Sequence, residues 1–153
     1  PDDYEGHRRL AAKMNTCAGG TVLASGEHEY TRFGYEQLMD AGVGLIQPDV
    51  MWMGGPTEFI RVAAQANARS VEVIPHGCGV YGYYMAMALD CVALAEFMMM
   101  SEMADKIEPN FGTLFKSEPL PENGYILLPD TPGFGLELNH DALNLIRPFD
   151  RSK

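Results

Sequence analysis

Positive charge is scarce in this chain and nowhere concentrated. Eleven lysines and arginines stand against 21 aspartates and glutamates in 153 residues, a formal net charge of -10. With no basic patch to offset that charge, neither a nucleic-acid backbone nor an anionic membrane surface is an expected partner. Cysteine is also sparse. Cys17, Cys78 and Cys91 are odd in number and widely spaced, which rules out a disulfide framework or a thiolate zinc site and makes a reducing compartment, the cytoplasm, the expected location. No apolar run reaches the roughly 18 residues of a membrane-spanning helix. What is abundant is apolar residues, 46% of the chain, enough for a core of ordinary single-domain size. The polar opening Pro-Asp-Asp-Tyr-Glu-Gly-His-Arg-Arg, without an initiator methionine, reads as a loop running into a helix in the middle of a longer protein.

Short apolar runs alternate with amphipathic helices over the first two thirds of the chain. Thr21 to Ser25, Gly44 to Gln47, Val71 to Ile74 and Val92 to Ala95 have the composition of buried strands. Between them, the spacing predicts helices from about Thr31 to Ala41, with Gly42 as the stop, from Pro56 to Ala68, and from about Tyr84 to Leu89. Strand starts recur at the length of a strand-loop-helix-loop unit, and such crossovers make parallel strands. Half of a (β/α)8 barrel and an open doubly wound sheet both fit, and both place ligands at the carboxyl ends of the strands. From Phe115 onward the rhythm stops. The proline- and glycine-rich run "FKSEPLPENGYILLPDTPGFGLELN" reads as an extended arm that packs on something else.

Each apolar run is followed by an ionisable side chain: Glu27 with His28, Asp49, His76 and Glu96. On parallel strands these would line one rim. Three carboxylates with no lysine or arginine among them repel one another, so a bound cation or a protonated histidine is the expected compensation. Oxygen donors suit magnesium, and Glu27 is the candidate ligand, because Asp49 has a better use beside His76. There a carboxylate accepts the Nδ1 proton, fixes the tautomer and leaves a positioned base. A histidine after a strand is more commonly a plain loop residue, and Asp49 is what shifts the balance. The glycines at 77, 79 and 82 permit a sharp turn. Tyr81, Tyr83 and Tyr84 at a strand-helix junction are better read as capping a core than as lining a pocket. Trp52 lies in the loop after Asp49, where it could close over a ligand, although the helix after Gly55 could equally offer amides to an anion. Met98 to Met100 read as core filler, His7 and His140 as surface, and Gly133-Phe134-Gly135 as no phosphate loop.

Taken jointly, "SGEHE" at 25 to 29, "QPDVMWMGG" at 47 to 55, "IPHGCGVYG" at 74 to 82, "AEF" at 95 to 97 and "PGFGLELN" at 132 to 139 resemble the C-terminal part of the enolase superfamily. The pattern falls in its mandelate racemase subgroup and is most similar there to the L-rhamnonate dehydratases. The resemblance implies an α/β fold: the C-terminal half of a (β/α)7β barrel over 1–115, strands five to eight, and an arm over 116–153 returning to an N-terminal capping domain. It implies that Glu27 is the third of three carboxylate ligands of Mg2+, that Asp49 and His76 form a dyad, and that Glu96 hydrogen-bonds the substrate carboxylate. It matches His28 to a substrate-contacting histidine, and Trp52 is the other candidate for substrate binding. The implied activity is α-proton abstraction from an acid sugar such as L-rhamnonate, then loss of the 3-hydroxyl, a strategy the superfamily shares. Racemisation, another sugar acid, or an inactive fragment with a binding role are the alternatives. A homo-oligomer, completed by the N-terminal part of the same protein, is the implied assembly; the isolated chain is expected to be inactive.

Overall fold

A computed structural model describes residues 2–17, 19–77 and 79–143. These fall into two compact units, one up to Phe97 and one from Met98 onward, and the boundary expected at 115/116 lies inside the second. In the first unit, α1 (Tyr4–Cys17), β1 (Ala24–Ser25), α2 (Arg32–Asp40), β2 (Leu45–Ile46), α3 (Pro56–Ala68), β3 (Glu72–Val73) and α4 (Val80–Ala88) follow in order. The strands form one sheet in the order β1-β2-β3, all parallel. Ala24 stands opposite Leu45, and Ile46 opposite Val73. Backbone bonds extend the ladder past the strand ends, with the Gln47 N–H donating to the Ser25 carbonyl and the Ile74 N–H to that of Ile46.

The helices form where the local chemistry allows. Thr31 caps α2, its hydroxyl accepting the Gly34 N–H, and the chain leaves the helix through Gly42 at φ 92°. Pro56 sits in the first turn of α3, where its missing N–H costs nothing. Phe59, Val62 and Ala66 on α3, Tyr35 and Leu38 on α2, and Ile46 on β2 meet in the buried core. Helix α4 begins at Val80 rather than near Tyr84, because Gly82 is not a turn residue: its N–H donates to the Gly79 carbonyl within the opening turn. Tyr83 is buried, and Tyr81 and Tyr84 pack against the core cluster, as the capping reading expected.

The fourth expected strand is not formed among the described residues. Val92 is buried, but Leu94 is 64% exposed, and the Val92 N–H bonds the Leu89 carbonyl in a turn instead of joining β3. An apolar run becomes a strand only where a backbone ladder receives it, and here the tie to the β3 end is a side chain, that of Glu96.

In the second unit, β4 (Pro121–Glu122) and β5 (Tyr125–Ile126) pair antiparallel around Asn123 and Gly124, both at positive φ, an Asn-Gly hairpin turn. Phe115 bridges Leu138 antiparallel, Lys116 ion-pairs with Glu137, and α5 (His140–Leu143) follows. His140 is exposed, as expected. Cys78, the last residues of the expected arm, 144–153, and the Cys17 side chain lie outside the described set. No described helix is long and apolar enough to cross a membrane.

Candidate active site

Parallel strands have their carboxyl ends on one side, so the residues after β1, β2 and β3 share a rim. The His76 N–H donates to the Pro48 carbonyl, which keeps the β2 and β3 ends in step. On that rim the structure builds a chain of four side chains. His28 Nε2 lies 3.0 Å from Glu27 Oε1, and His76 Nε2 lies 3.4 Å from Glu27 Oε2. On its other side, His76 Nδ1 lies 2.9 Å from Glu96 Oε2, and the same oxygen accepts the Gly77 N–H at 2.7 Å. Of the candidates Glu27, His28, His76 and Glu96, all four therefore meet.

The carboxylate at Nδ1 is Glu96, which corrects the expectation for Asp49. Asp49 is only 8% exposed, but its Oδ1 accepts the Met51 N–H at 2.7 Å and the Trp52 N–H at 3.3 Å. A short side chain at a strand end satisfies the amides two and three residues on more readily than a group across the sheet. The effect is to fold the loop that carries Trp52. That ring, half exposed, lies 5.2 Å from the ring of His28 and 6.1 Å from that of Tyr30, centroid to centroid.

The imidazole geometry has a chemical consequence. A carboxylate accepts only, so in a neutral ring the closer contact, Nδ1 to Glu96 at 2.9 Å, takes the one proton, and Nε2, at 3.4 Å from Glu27 Oε2, is left as the basic nitrogen. Glu96 is thus an acceptor from two N–H donors. Glu27, 46% exposed, offers carboxylate oxygens, the hard donors that magnesium takes. It offers one carboxylate: no group of three or more His, Cys, Asp or Glu among the described residues is arranged to hold a metal ion.

Sequence reasoning missed the groups around this rim. His7, read as a surface residue, places Nδ1 2.9 Å from the Asp3 carbonyl and Nε2 3.1 Å from Ser25 Oγ. It lines a cavity of about 290 Å³ with Ser25, Glu27, His28, Glu29 and Gln47. The Tyr4 hydroxyl donates to Glu29 Oε2 at 2.7 Å, and that bond, with burial and the charges of Glu29 and Asp2, pushes the phenol up to about 12. A Cβ on Gly34 would stand 2.1 Å from the Glu29 carboxyl carbon, so only glycine leaves that carboxylate its place against α2. The "GEHE" run signals the turn, but no spacing rule points from it to Tyr4 or Gly34.

A parallel α/β sheet with a histidine and carboxylates at its carboxyl rim defines a class, and the chain belongs to the enolase C-terminal domain-like family, whose model matches residues 1–142. More particularly, it is similar to two curated relatives. It is 46% identical over 97% of its length to a Caldivirga maquilingensis protein provisionally named an L-rhamnonate dehydratase. It is 41% identical over 98% of its length to the L-rhamnonate dehydratase of Saccharopolyspora erythraea. The chain spans only 36% and 38% of those two proteins. Among solved structures, a rhamnonate dehydratase from Gibberella zeae complexed with Mg matches 94% of this chain and 35% of its own at a TM-score of 0.84 and 38% identity.

Proposed function

We propose that the full-length protein containing this chain is a magnesium-dependent acid-sugar dehydratase that converts L-rhamnonate to 2-keto-3-deoxy-L-rhamnonate and water. The observation that carries the proposal is His76, held at the carboxyl rim between Glu96 on Nδ1 and Glu27 beyond Nε2. The names of the relatives supply the substrate.

In this reading His76 Nε2 removes the proton α to the substrate carboxylate, and the C–H electron pair moves into that carboxylate to give an enediolate. Such a proton is weakly acidic, and an imidazole removes it only where the negative charge that develops is compensated. Magnesium supplies that compensating positive charge when bound. Glu27 is one of its ligands, and the others come from residues outside these 153. Glu96 holds the ring in the productive tautomer and stabilises the imidazolium that forms. The same histidine returns its proton to the 3-hydroxyl, which leaves as water as the electron pair forms the double bond, and the resulting enol tautomerises to the ketone. His28 and Trp52, next to Glu27, contact the sugar.

Replacing His76 with asparagine in the full-length protein should abolish both dehydration and exchange of the α proton with deuterated solvent, with Mg2+ binding intact. Turnover retained in His76→Asn would refute the assignment.

A further inference from the structure

Glu27 and His28 are the two corner residues of one β-turn. The Glu29 N–H donates to the Gly26 carbonyl at 3.1 Å, closing the turn across them. The side chains that matter for the chemistry therefore point where this turn sends them. Tyr35, on α2, is 0% exposed. Its hydroxyl donates to the Gly26 carbonyl at 2.7 Å and lies 3.1 Å from the Glu29 carbonyl, touching both feet of the turn. Gly26 is shaped to receive the ring: its φ is 124°, and a Cβ there would stand 3.0 Å from Tyr35 Cε1.

The geometry points to Tyr35 as a positioning residue that locks the Gly26–Glu29 turn and thereby aims Glu27 and His28. A phenylalanine would fill the same core volume, so packing alone does not call for the hydroxyl. A buried hydroxyl costs free energy unless it is paired, and its partners are the two carbonyls that bracket the corner residues. The turn is also held from outside, where Tyr4 binds the Glu29 carboxylate and the Tyr30 N–H donates to Glu29 Oε1 at 2.9 Å. The assignment of Tyr35 to the metal and substrate side chains rests on the proposed function; the clamp on the turn does not.

The test uses Tyr35→Phe in the full-length protein, with Val62→Ala, a core truncation on α3, as the comparator for lost stability. Amide hydrogen exchange at Glu29 reads the turn without any metal, and Mg2+ titration by calorimetry reads the aim of Glu27. Tyr35→Phe should raise Glu29 exchange roughly tenfold and weaken Mg2+ roughly tenfold, the worth of one buried hydrogen bond. Val62→Ala should lower the Tm while leaving both unchanged. Unchanged exchange in Tyr35→Phe overturns the clamp, and failure of that variant to fold does so too, because the hydroxyl would then serve the fold rather than the turn. Faster exchange with wild-type Mg2+ affinity overturns the positioning role. A wild-type protein that binds no Mg2+ sinks the proposed function instead, while the exchange result still decides the clamp.

Discussion

Glu96→Gln separates two roles that one carboxylate can play. Glu96 Oε2 accepts from His76 Nδ1 at 2.9 Å and from the Gly77 N–H at 2.7 Å. A glutamine in the same rotamer presents its carbonyl oxygen to both donors, so the loop and the ring orientation persist and only the charge is lost. Hydrogen bonds to a charged group are worth about 1.5–3 kcal/mol against about 1 for neutral pairs, so the imidazolium formed on proton abstraction loses about 1–2 kcal/mol of support. The Glu96 side chain is 37% exposed, and solvent screening puts the effect toward the lower end. The expected loss in kcat is therefore roughly fivefold to tenfold, with Mg2+ affinity unchanged. The assay is steady-state dehydration of L-rhamnonate with α-proton exchange followed in parallel, so that both steps report on His76. A wild-type kcat would show that the charge does nothing for the ring. A loss as complete as that of His76→Asn would show that Glu96 acts on the substrate itself, hydrogen-bonding its carboxylate as the family resemblance implied, and would refute the orienting role.

Two further predictions concern pH. Tyr4→Phe should lower stability by about 1 kcal/mol near neutral pH: a phenol pushed from 10.0 to about 12 by its bond to Glu29 favours the folded state while protonated, and solvent screening at this partly exposed site cuts the effect below what the shift alone would give. Because the folded value is the higher one, this difference is complete below about pH 10 and closes as the pH rises towards 12; paired urea melts that show a pH-independent gap would refute the linkage. Glu58 is held below its ordinary carboxylate value by the Arg32 backbone N–H first, then by Arg61 and the Arg32 charge, against a smaller opposing effect of burial. Its folded value is depressed, so its contribution is present above about pH 4.5 and disappears as the pH falls through the folded value; Glu58→Gln should remove that part of the acid sensitivity in thermal melts between pH 3 and 6.

Much of the first unit was legible because its signals are local. Thr31, Gly42 and Pro56 mark helix ends through bonds and dihedrals within a turn of themselves, and α2 and α3 lie within a residue of the expected bounds. The parallel order of β1 to β3 followed from the length of the crossovers, and with it the shared rim of Glu27, Asp49 and His76. Gly82 misled because a glycine inside a helix looks the same in sequence as one in a turn.

What the chain alone determined is thus the set of strand-end residues, the helices between them and the family to which they belong. What the tertiary structure decided is which of those residues meet. Asp49 and Glu96 are equally good partners for an imidazole on paper, yet Asp49 is taken up by its own loop amides while Glu96 reaches both His76 and Gly77. Val92 to Ala95 had the composition of a strand but found no ladder, and Tyr35, an ordinary core aromatic in sequence, has its hydroxyl on the turn that carries Glu27. Helix caps and turns depend on neighbours a few residues away, whereas a cross-sheet hydrogen bond depends on how far packing brings two distant side chains together, and that distance is not written in either residue.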